Sequence, residues 1–280
     1  MKIMEFKLIG WLFKEVVNRW GESINMKLNL IYFSPTGGTK KVLDIISEEW
    51  NCDKREIDLS LAENDFSKYS FKRDDICIVG VPSFGGRAPQ VALSRIKKMS
   101  GGSVNTIMVA VYGNRAYEDT LLELEDTLEQ CNFHCIAAIA ANAEHSIMHE
   151  FGKGRPDIED EKDLKGFVKK IKAVLNENCE EKVVQVPGNN PYKEFKVVPF
   201  IPMVSNECNK CGLCIKKCPT NAICKDNPLF LDESKCISCM RCISICPKNA
   251  RMLDKEKLYL LIQKLEKVCS SRKSNELFII

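Results

Sequence analysis

Eight of the fifteen cysteines in this 280-residue chain fall into two copies of one spacing. Both copies read C-x2-C-x2-C-x3-C-P, and each cysteine of the first copy has a counterpart 28 residues later. Three cysteines at steps of three place three thiolates around one tight turn, which can hold three irons of a cubane cluster and donate N–H groups to its sulfurs. The repeat therefore predicts two [4Fe–4S] clusters. The candidate ligands are Cys208, Cys211, Cys214, Cys218, Cys236, Cys239, Cys242 and Cys246.

The fourth cysteine of each copy stands before a proline and points away from the other three. In two-cluster ferredoxins a cysteine at this place ligates the cluster of the other copy. The first cysteine set is therefore predicted to be Cys208, Cys211, Cys214 and Cys246. The second cysteine set is predicted to be Cys236, Cys239, Cys242 and Cys218. Zinc is the alternative, but zinc sites usually use two separated C-x2-C pairs. Residues 204–250 resemble bacterial two-cluster ferredoxins, which implies a small α+β domain whose folding depends on its clusters.

The chain before the cysteine repeat alternates short apolar runs with helical patterns. Strands are predicted at residues 28–33, 55–59, 76–81, 104–112 and 133–140. Helices are predicted at residues 39–50, 89–99, 117–131 and 158–176. Because the main strands are continuously apolar and alternate with helices, they predict a parallel sheet covered by helices on both faces.

Three loops that contain glycine follow the apolar strands, at the end of the sheet where such folds bind ligands. The first loop, residues 34–39, places glycines and hydroxyl side chains before a helix N-terminus, which favours a phosphate group. It is neither a P-loop nor a dinucleotide fingerprint, because G-x4-G-K-[ST] and G-x-G-x-x-G are absent. Its candidate ligands are Ser34, Thr36, Gly37, Gly38 and Thr39. The candidates in the other two loops are Pro82, Ser83, Phe84, Gly85, Gly86, Arg87, Tyr112, Gly113, Asn114 and Arg115.

These loops resemble those of the flavodoxin family, and the resemblance runs from about residue 27 to residue 175. It implies a doubly wound parallel sheet of strand order 2-1-3-4-5. It also implies a bound FMN, with the phosphate in the first loop and the isoalloxazine ring at the other two. Phe84 or Tyr112 would stack on the ring, and Arg87 or Arg115 would stabilise a reduced, anionic flavin. The alternative is a flavodoxin-like domain that holds no FMN.

The order of the two regions resembles the flavodoxin–ferredoxin fusion proteins of anaerobes. The predicted divisions are an N-terminal extension (1–26), a flavodoxin-like domain (27–178), a linker (179–203), a two-[4Fe–4S] ferredoxin domain (204–252), and a C-terminal helix and tail (253–280). The resemblance implies electron transfer between the clusters and FMN, to or from a redox partner protein. An FMN-dependent reductase of a small acceptor such as a quinone, fed by the clusters, is one alternative, and a redox sensor is another. Whether the chain is an enzyme, an iron–sulfur flavoprotein oxidoreductase, stays open.

Composition narrows the partners and the location. The net charge is +3 and the Lys and Arg residues are spread along the chain, so no nucleic-acid partner is expected. The most apolar N-terminal run, residues 8–13, is far shorter than the roughly 20 residues that cross a membrane, and no cleavage site follows it. We therefore expect a cytoplasmic protein with no membrane partner; a homodimer stays open. His145 and His149 follow the last strand, where a proton-donating role and an ordinary loop role are both open.

Overall fold

The computed structural model describes residues 26–176, 184–195 and 200–280. The predicted N-terminal extension lies outside these ranges except for Met26, and so does part of the predicted linker. Within the described ranges, no helix combines the length and the apolar character that a membrane crossing needs.

A parallel sheet forms the core of the N-terminal part. Its strands are β1 (Lys27–Tyr32), β2 (Asp53–Asp58), β3 (Ile76–Pro82), β4 (Val104–Tyr112) and β5 (Phe133–Asn142). They pair in the order β2-β1-β3-β4-β5, and every pair among them is parallel. This is the flavodoxin-like order, so the predicted fold is confirmed. The central strands are buried along nearly their whole length, which is why they read as continuous apolar runs.

Four helices cover the two faces of this sheet. They are α1 (Gly38–Glu48), α2 (Gln90–Ile96), α3 (Thr120–Gln130) and α4 (Ile158–Asn176). Helices α2 and α3 pack on one face, where α3 buries Leu121, Leu124 and Leu128 at helical spacing. Helices α1 and α4 pack on the other face, where α4 buries Leu164 and Val168. The helices thus leave the carboxyl ends of the strands as the open edge of the domain.

The cysteine segment (residues 200–252) is a small unit with little secondary structure. It contains helices α5 (Leu213–Lys217) and α6 (Arg241–Ser244) and one antiparallel pair of strands, β6 (Met203–Val204) and β7 (Arg251–Met252). Few apolar residues are buried in it, namely Phe200, Ala222, Ile223, Met240 and Ala250. So small an apolar core supplies little folding free energy, which is typical of domains that depend on a bound metal centre.

The C-terminal residues return to the N-terminal part. Helix α7 (Lys255–Cys269) begins at Asp254, whose side chain accepts hydrogen bonds from the backbone N–H groups of Glu256 and Lys257. Strand β8 (Glu276–Ile279) then pairs antiparallel with β5 and adds a sixth strand to the sheet. The sequence predicted the helix but not the strand, since four residues are too few to show a strand period.

A buried polar network fastens this tail to the sheet. Arg155 is paired with Asp160, with Nε 2.9 Å from Oδ2, and the Asp160 side chain is fully buried. The Nδ2 group of Asn275 donates to Asp160 at 2.9 Å, and its Oδ1 accepts from the N–H of Asn142 at the end of β5. The Arg155 guanidinium holds the pKa of Asp160 below its usual range against the opposing effect of burial.

We expect Asp160→Asn to lower the free energy of unfolding by about 3–5 kcal/mol, because it leaves the buried guanidinium of Arg155 without an anion. Urea unfolding of the intact protein, followed by circular dichroism, measures the change. The matched control is Glu161→Gln, one residue further along α4, which should change stability by less than about 0.5 kcal/mol. Equal stabilities of the two variants would contradict the role given to this pair.

Candidate functional site

The open edge of the sheet holds a cavity of about 200 Å³. The loops after β1, β3, β4 and β5 line it, which is the place that a doubly wound sheet offers to a ligand. The structure brings together most of the predicted loop residues here. Those that line the cavity are Ser34, Thr36, Gly38, Thr39, Pro82, Ser83, Phe84, Gly85, Tyr112 and Gly113.

The first loop is shaped by Gly37, whose φ of +94° lies in the left-handed region. Helix α1 begins directly after it at Gly38, and no acidic residue stands in its first turn. The Ser34 hydroxyl accepts from the N–H of Lys40 at 2.9 Å, which closes the loop over the first turn. The remaining first-turn N–H groups have no partner within the helix, so this end of the cavity suits an anion.

Two aromatic side chains from the other loops behave differently. Tyr112 is buried, its ring lies 5.2 Å from that of Tyr117, and its hydroxyl donates to the carbonyl oxygen of Ser274 at 3.4 Å. Burial raises the pKa of Tyr112 to about 12. Phe84 is half-buried and meets Phe33 edge-on at 6.4 Å. Phe84 is therefore the better placed of the two rings to contact a planar ligand.

The two arginines expected to face the ligand are engaged elsewhere. Arg87 forms a bidentate pair with Glu123, at 2.8 and 2.6 Å, and its charge is thereby balanced. Arg115 pairs in the same way with Glu118, at 3.0 and 2.9 Å. Neither lines the cavity, so the expectation that one of them stabilises a reduced ring has no support in this geometry.

Three further predicted residues also lie outside the cavity wall. Gly37 shapes the first loop without lining the cavity, and Gly86 is packed against the side chain of Glu118. The Nδ2 group of Asn114 points to the tail, where it donates to the carbonyl oxygens of Cys269 and Ser271 at 2.5 and 2.8 Å. Asn114 thus holds the C-terminal segment rather than a ligand.

The loop after β5 contributes His145, to which the sequence assigned no definite role. Its Nδ1 accepts from the backbone N–H groups of Ile147 and Met148 at 3.1 Å each, so the neutral ring carries its proton on Nε2. Burial lowers the pKa of His145 to about 4, with smaller effects from nearby positive charge. The ring packs so closely on Gly113 that a Cβ there would lie 2.5–2.7 Å from it. In the sequence, His145 was marked only by its place directly after a strand, at the same end of the sheet as the three loops that contain glycine.

The cysteine segment supplies the remaining wall of the cavity. The lining residues from this segment are Ser234, Cys236, Ile237, Ser238 and Cys239, and Phe195 from the preceding residues 184–195 also lines the cavity. Ile237 also packs against the apolar core on the α2 and α3 side of the sheet. The sequence could not show this contact, because it joins residues that are far apart in the chain.

The eight cysteines line two separate small cavities. The first is lined by Cys208, Cys211, Cys214 and Cys246. The second is lined by Cys218, Cys236, Cys239 and Cys242. These are the two predicted sets, with the fourth cysteine exchanged between the copies. Among the described residues, no three Cys, His, Asp or Glu side chains converge as ligands of a single metal ion; a cubane instead takes four thiolates spread around a larger body.

The backbone repeats along with the sequence. Lys210 and Gly212 in the first copy have positive φ, and so do their counterparts Ser238 and Met240 in the second. These left-handed residues curl the chain so that successive cysteines and N–H groups face one side. The Sγ atoms of the fourth cysteines accept from equivalent N–H groups, those of Ala222 and Ala250, at 3.3 Å each.

Each cysteine cavity is also lined by an arginine with buried N–H groups that have no hydrogen-bond partner among the described residues. Arg251 lines the first cavity and Arg241 the second, and in both the Nε and Nη1 atoms are unpartnered. A buried cation with unused donors is costly unless an anion is present. A [4Fe–4S] cluster with four thiolates carries about two negative charges, so the residues fit that group.

Two polar contacts dock the cysteine segment on the sheet. The buried Arg95 of α2 donates from Nη2 to the carbonyl oxygen of Pro219 at 2.6 Å, directly after Cys218. Arg241 lies 3.8 Å from the carboxylate of Asp58, at the carboxyl end of β2. Both contacts fix the second cysteine set at the open edge of the sheet.

A family comparison agrees with the cysteine geometry. Residues 202–224 and 229–252 match the model of a 4Fe-4S binding domain, one copy of the spacing in each range. The C-terminal part is a 4Fe–4S binding domain. The chain therefore joins a flavodoxin-like α/β domain to a 4Fe–4S domain, as the resemblance to flavodoxin–ferredoxin fusions implied. This combination is that of an iron–sulfur redox protein.

Several solved structures are similar to this chain. The flavin mononucleotide-bound flavodoxin of Fusobacterium nucleatum is 14% identical, with 54% of this chain and 99% of that protein covered and a TM-score of 0.39. A short-chain flavodoxin associated with a non-canonical PDU bacterial microcompartment is 16% identical, with 54% and 99% covered and a TM-score of 0.40. The rubredoxin oxygen:oxidoreductase of Desulfovibrio gigas is 14% identical over 54% of this chain, with a TM-score of 0.39, and this chain spans only 36% of its length. No curated protein matches the chain.

The exchange of fourth cysteines makes a testable prediction about iron content. Cys208→Ala and Cys246→Ala should each remove the same cluster, about four irons, so the double variant should lose no more iron than either single one. Cys208→Ala combined with Cys218→Ala should lose both clusters. Iron analysis of anaerobically purified protein measures this, and Cys52→Ala, outside both cavities, is the control. Loss of both clusters from the Cys208, Cys246 double variant would contradict the assignment.

The burial of His145 makes a prediction about pH. Its folded-state pKa, about 4, lies below the ordinary value of 6.5, so the unfolded chain binds more protons between these values and stability falls as the pH drops through that window. Between about pH 7 and pH 5, the unfolding free energy should fall by about 2 kcal/mol more in the wild type than in His145→Gln. Urea unfolding at both pH values measures it, with the exposed His149→Gln as control. Equal falls in wild type and His145→Gln would refute the burial of a neutral ring.

Proposed function

We propose that the chain is an electron-transfer protein that holds two [4Fe–4S] clusters and one FMN and exchanges electrons with a redox partner protein. The clusters take up single electrons, and a flavin accepts one or two, so the pair converts between one-electron and two-electron carriers. The residues of the chain bind these groups, fix their separation and exclude water between them.

One observation carries this proposal: the wall that the two kinds of cavity share. Cys236 and Cys239 line the second cysteine cavity and also the cavity at the edge of the sheet. A cluster ligated by these two thiolates would therefore stand directly against the cavity at the edge of the sheet. With the two groups side by side, electron transfer from the cluster to the flavin would need neither a domain movement nor a second molecule.

The sheet-edge cavity offers what FMN requires. The start of α1 supplies N–H groups for a phosphate, and Phe84 supplies an apolar ring surface at the other loops. The proton on Nε2 of His145 is fixed by the two backbone donors at Nδ1, so the histidine offers a donor of constant form in the wall. Phe195 and Ile237 add apolar surface to the same cavity.

The first cysteine set supports entry of electrons from a partner protein. Cys211 is exposed, and Lys210 and Lys248 lie exposed at the mouth of the first cavity. Positive side chains around a redox centre favour encounter with a partner that carries negative charge. Electrons would then pass from the first cluster to the second and on to the flavin, or in reverse.

The test begins with protein purified without oxygen, which should contain about eight irons and one FMN per chain. Substoichiometric dithionite should then bleach the clusters first, and the flavin should follow within the same molecule at a rate independent of protein concentration. Cys218→Ala, which removes the second cluster, should slow that flavin step at least about tenfold, a barrier rise of about 1.4 kcal/mol.

Three results would count against the proposal. Eight irons without flavin would remove the FMN half of it. A flavin step whose rate rises with protein concentration would show transfer between molecules instead. Reduction of a quinone far faster than by free FMN would favour the alternative, a reductase fed by the clusters.

A further inference from the structure

Arg251 occupies an unusual position for a cation. It is 3% exposed, its Nη2 lies 3.8 Å from Sγ of Cys214, and the same nitrogen donates to the carbonyl oxygen of Pro228. Its Nε and Nη1 groups are buried and make no hydrogen bond to any described residue. A full positive charge thus sits against the first cysteine set with two donors to spare.

Arg241 holds the corresponding position at the second set. Its side chain is 12% exposed, it lines the second cysteine cavity, and Nη2 lies 3.8 Å from the carboxylate of Asp58. Its Nε and Nη1 groups are likewise buried without a partner in the described part of the chain. This arginine stands between the second cysteine set and the flavodoxin-like domain.

The two arginines are not counterparts in the sequence repeat. The positions 28 residues before them are Leu213 and Ile223. Neither arginine therefore follows from the duplication that produced the cysteine spacing, and each charge is an addition to one place only. Arg251 has no carboxylate partner among the described residues, and Arg241 has only Asp58 at 3.8 Å, so the buried Nε and Nη1 donors of both call for a further anion in the working protein.

We propose that Arg251 and Arg241 are the cations that compensate electron uptake by the two clusters and thereby raise their reduction potentials. This rests on the proposed function only in so far as both clusters must be present. Each cluster gains one electron from the reductant, no bond breaks and no proton moves, and its charge with four thiolates goes from about −2 to about −3. A nearby buried cation stabilises the reduced state more than the oxidised one, because the attraction grows with the cluster charge.

The two arginines serve different cysteine sets. Arg251 lines the first cysteine cavity, where its Nη2 lies 3.8 Å from Sγ of Cys214. Arg241 lines the second cysteine cavity and not the first. Each arginine is therefore assigned to one cluster.

The experiment is a potentiometric titration of the intact protein, followed by electron paramagnetic resonance of the reduced clusters. Arg241→Gln should lower the potential of one cluster and leave the other within error. Arg251→Gln should lower the potential of the other cluster and leave the one affected by Arg241→Gln within error. Each affected cluster should lose at least tenfold in its reduction equilibrium constant, which is about 59 mV for a one-electron couple. Lys225→Gln removes an exposed charge from the same domain and should shift neither potential by that amount.

Iron content separates this proposal from the proposed function. Wild-type protein without about eight irons overturns both. Full iron in the variants with unchanged potentials, or with shifts no larger than that of Lys225→Gln, overturns the arginine proposal alone. If Arg251→Gln loses iron, Arg251→Lys decides: recovery of iron and of the potentials supports a role for charge, and continued loss shows that the side chain acts by packing and overturns it.

Discussion

The site depends on the packing of one loop, residues 236–241, against the carboxyl edge of the parallel sheet. Helices cover both faces of the sheet, so this edge is the place where a ligand and a second domain can both reach the strands. Ile237 joins the apolar core there, and Arg95 fixes the adjacent turn through the carbonyl oxygen of Pro219. Because the thiolates that would bind a cluster lie in the packed loop itself, docking of the domain and placement of the redox centre are the same event.

The arginines of the two domains differ in how their charge is balanced. The cations of the flavodoxin-like loops, Arg87 and Arg115, are neutralised by carboxylates and hold local structure. The cations with unused donors, Arg241 and Arg251, are buried in the 4Fe–4S domain beside the cysteines. Arginines with unused donors thus lie beside the cysteines, whereas the sheet-edge cavity is lined by the start of α1 and by aromatic side chains. This division agrees with the proposed path, in which the clusters would collect electrons and pass them to a group in the sheet-edge cavity.

Local patterns in the sequence predicted the features of the structure that depend on neighbouring residues. Cysteine spacing predicted which four thiolates share a cavity, and continuous apolar runs between helices predicted a parallel sheet. The strand order followed from the resemblance to flavodoxins. Contacts between residues that are distant in the sequence could not be predicted in this way. The pair of Arg87 with Glu123 joins residues 36 positions apart and changes the role expected of that arginine. The wall formed by Phe195 and Ser238 depends on how two domains dock, which neither periodicity nor motif spacing encodes.

The chain passes between its two domains twice, and this fixes their separation. On the way out, the strap at residues 184–195 is tied to the loop before α3, where Asp119 accepts from the N–H of Asn189 at 2.9 Å. On the way back, α7 packs Leu258 and Leu261 on the loop that carries His145, and β8 pairs with β5. A domain tethered at both ends and packed at the cavity wall has little freedom to swing aside. Passing an electron through Cys236 and Cys239, which line both the second cysteine cavity and the sheet-edge cavity, would break none of these contacts.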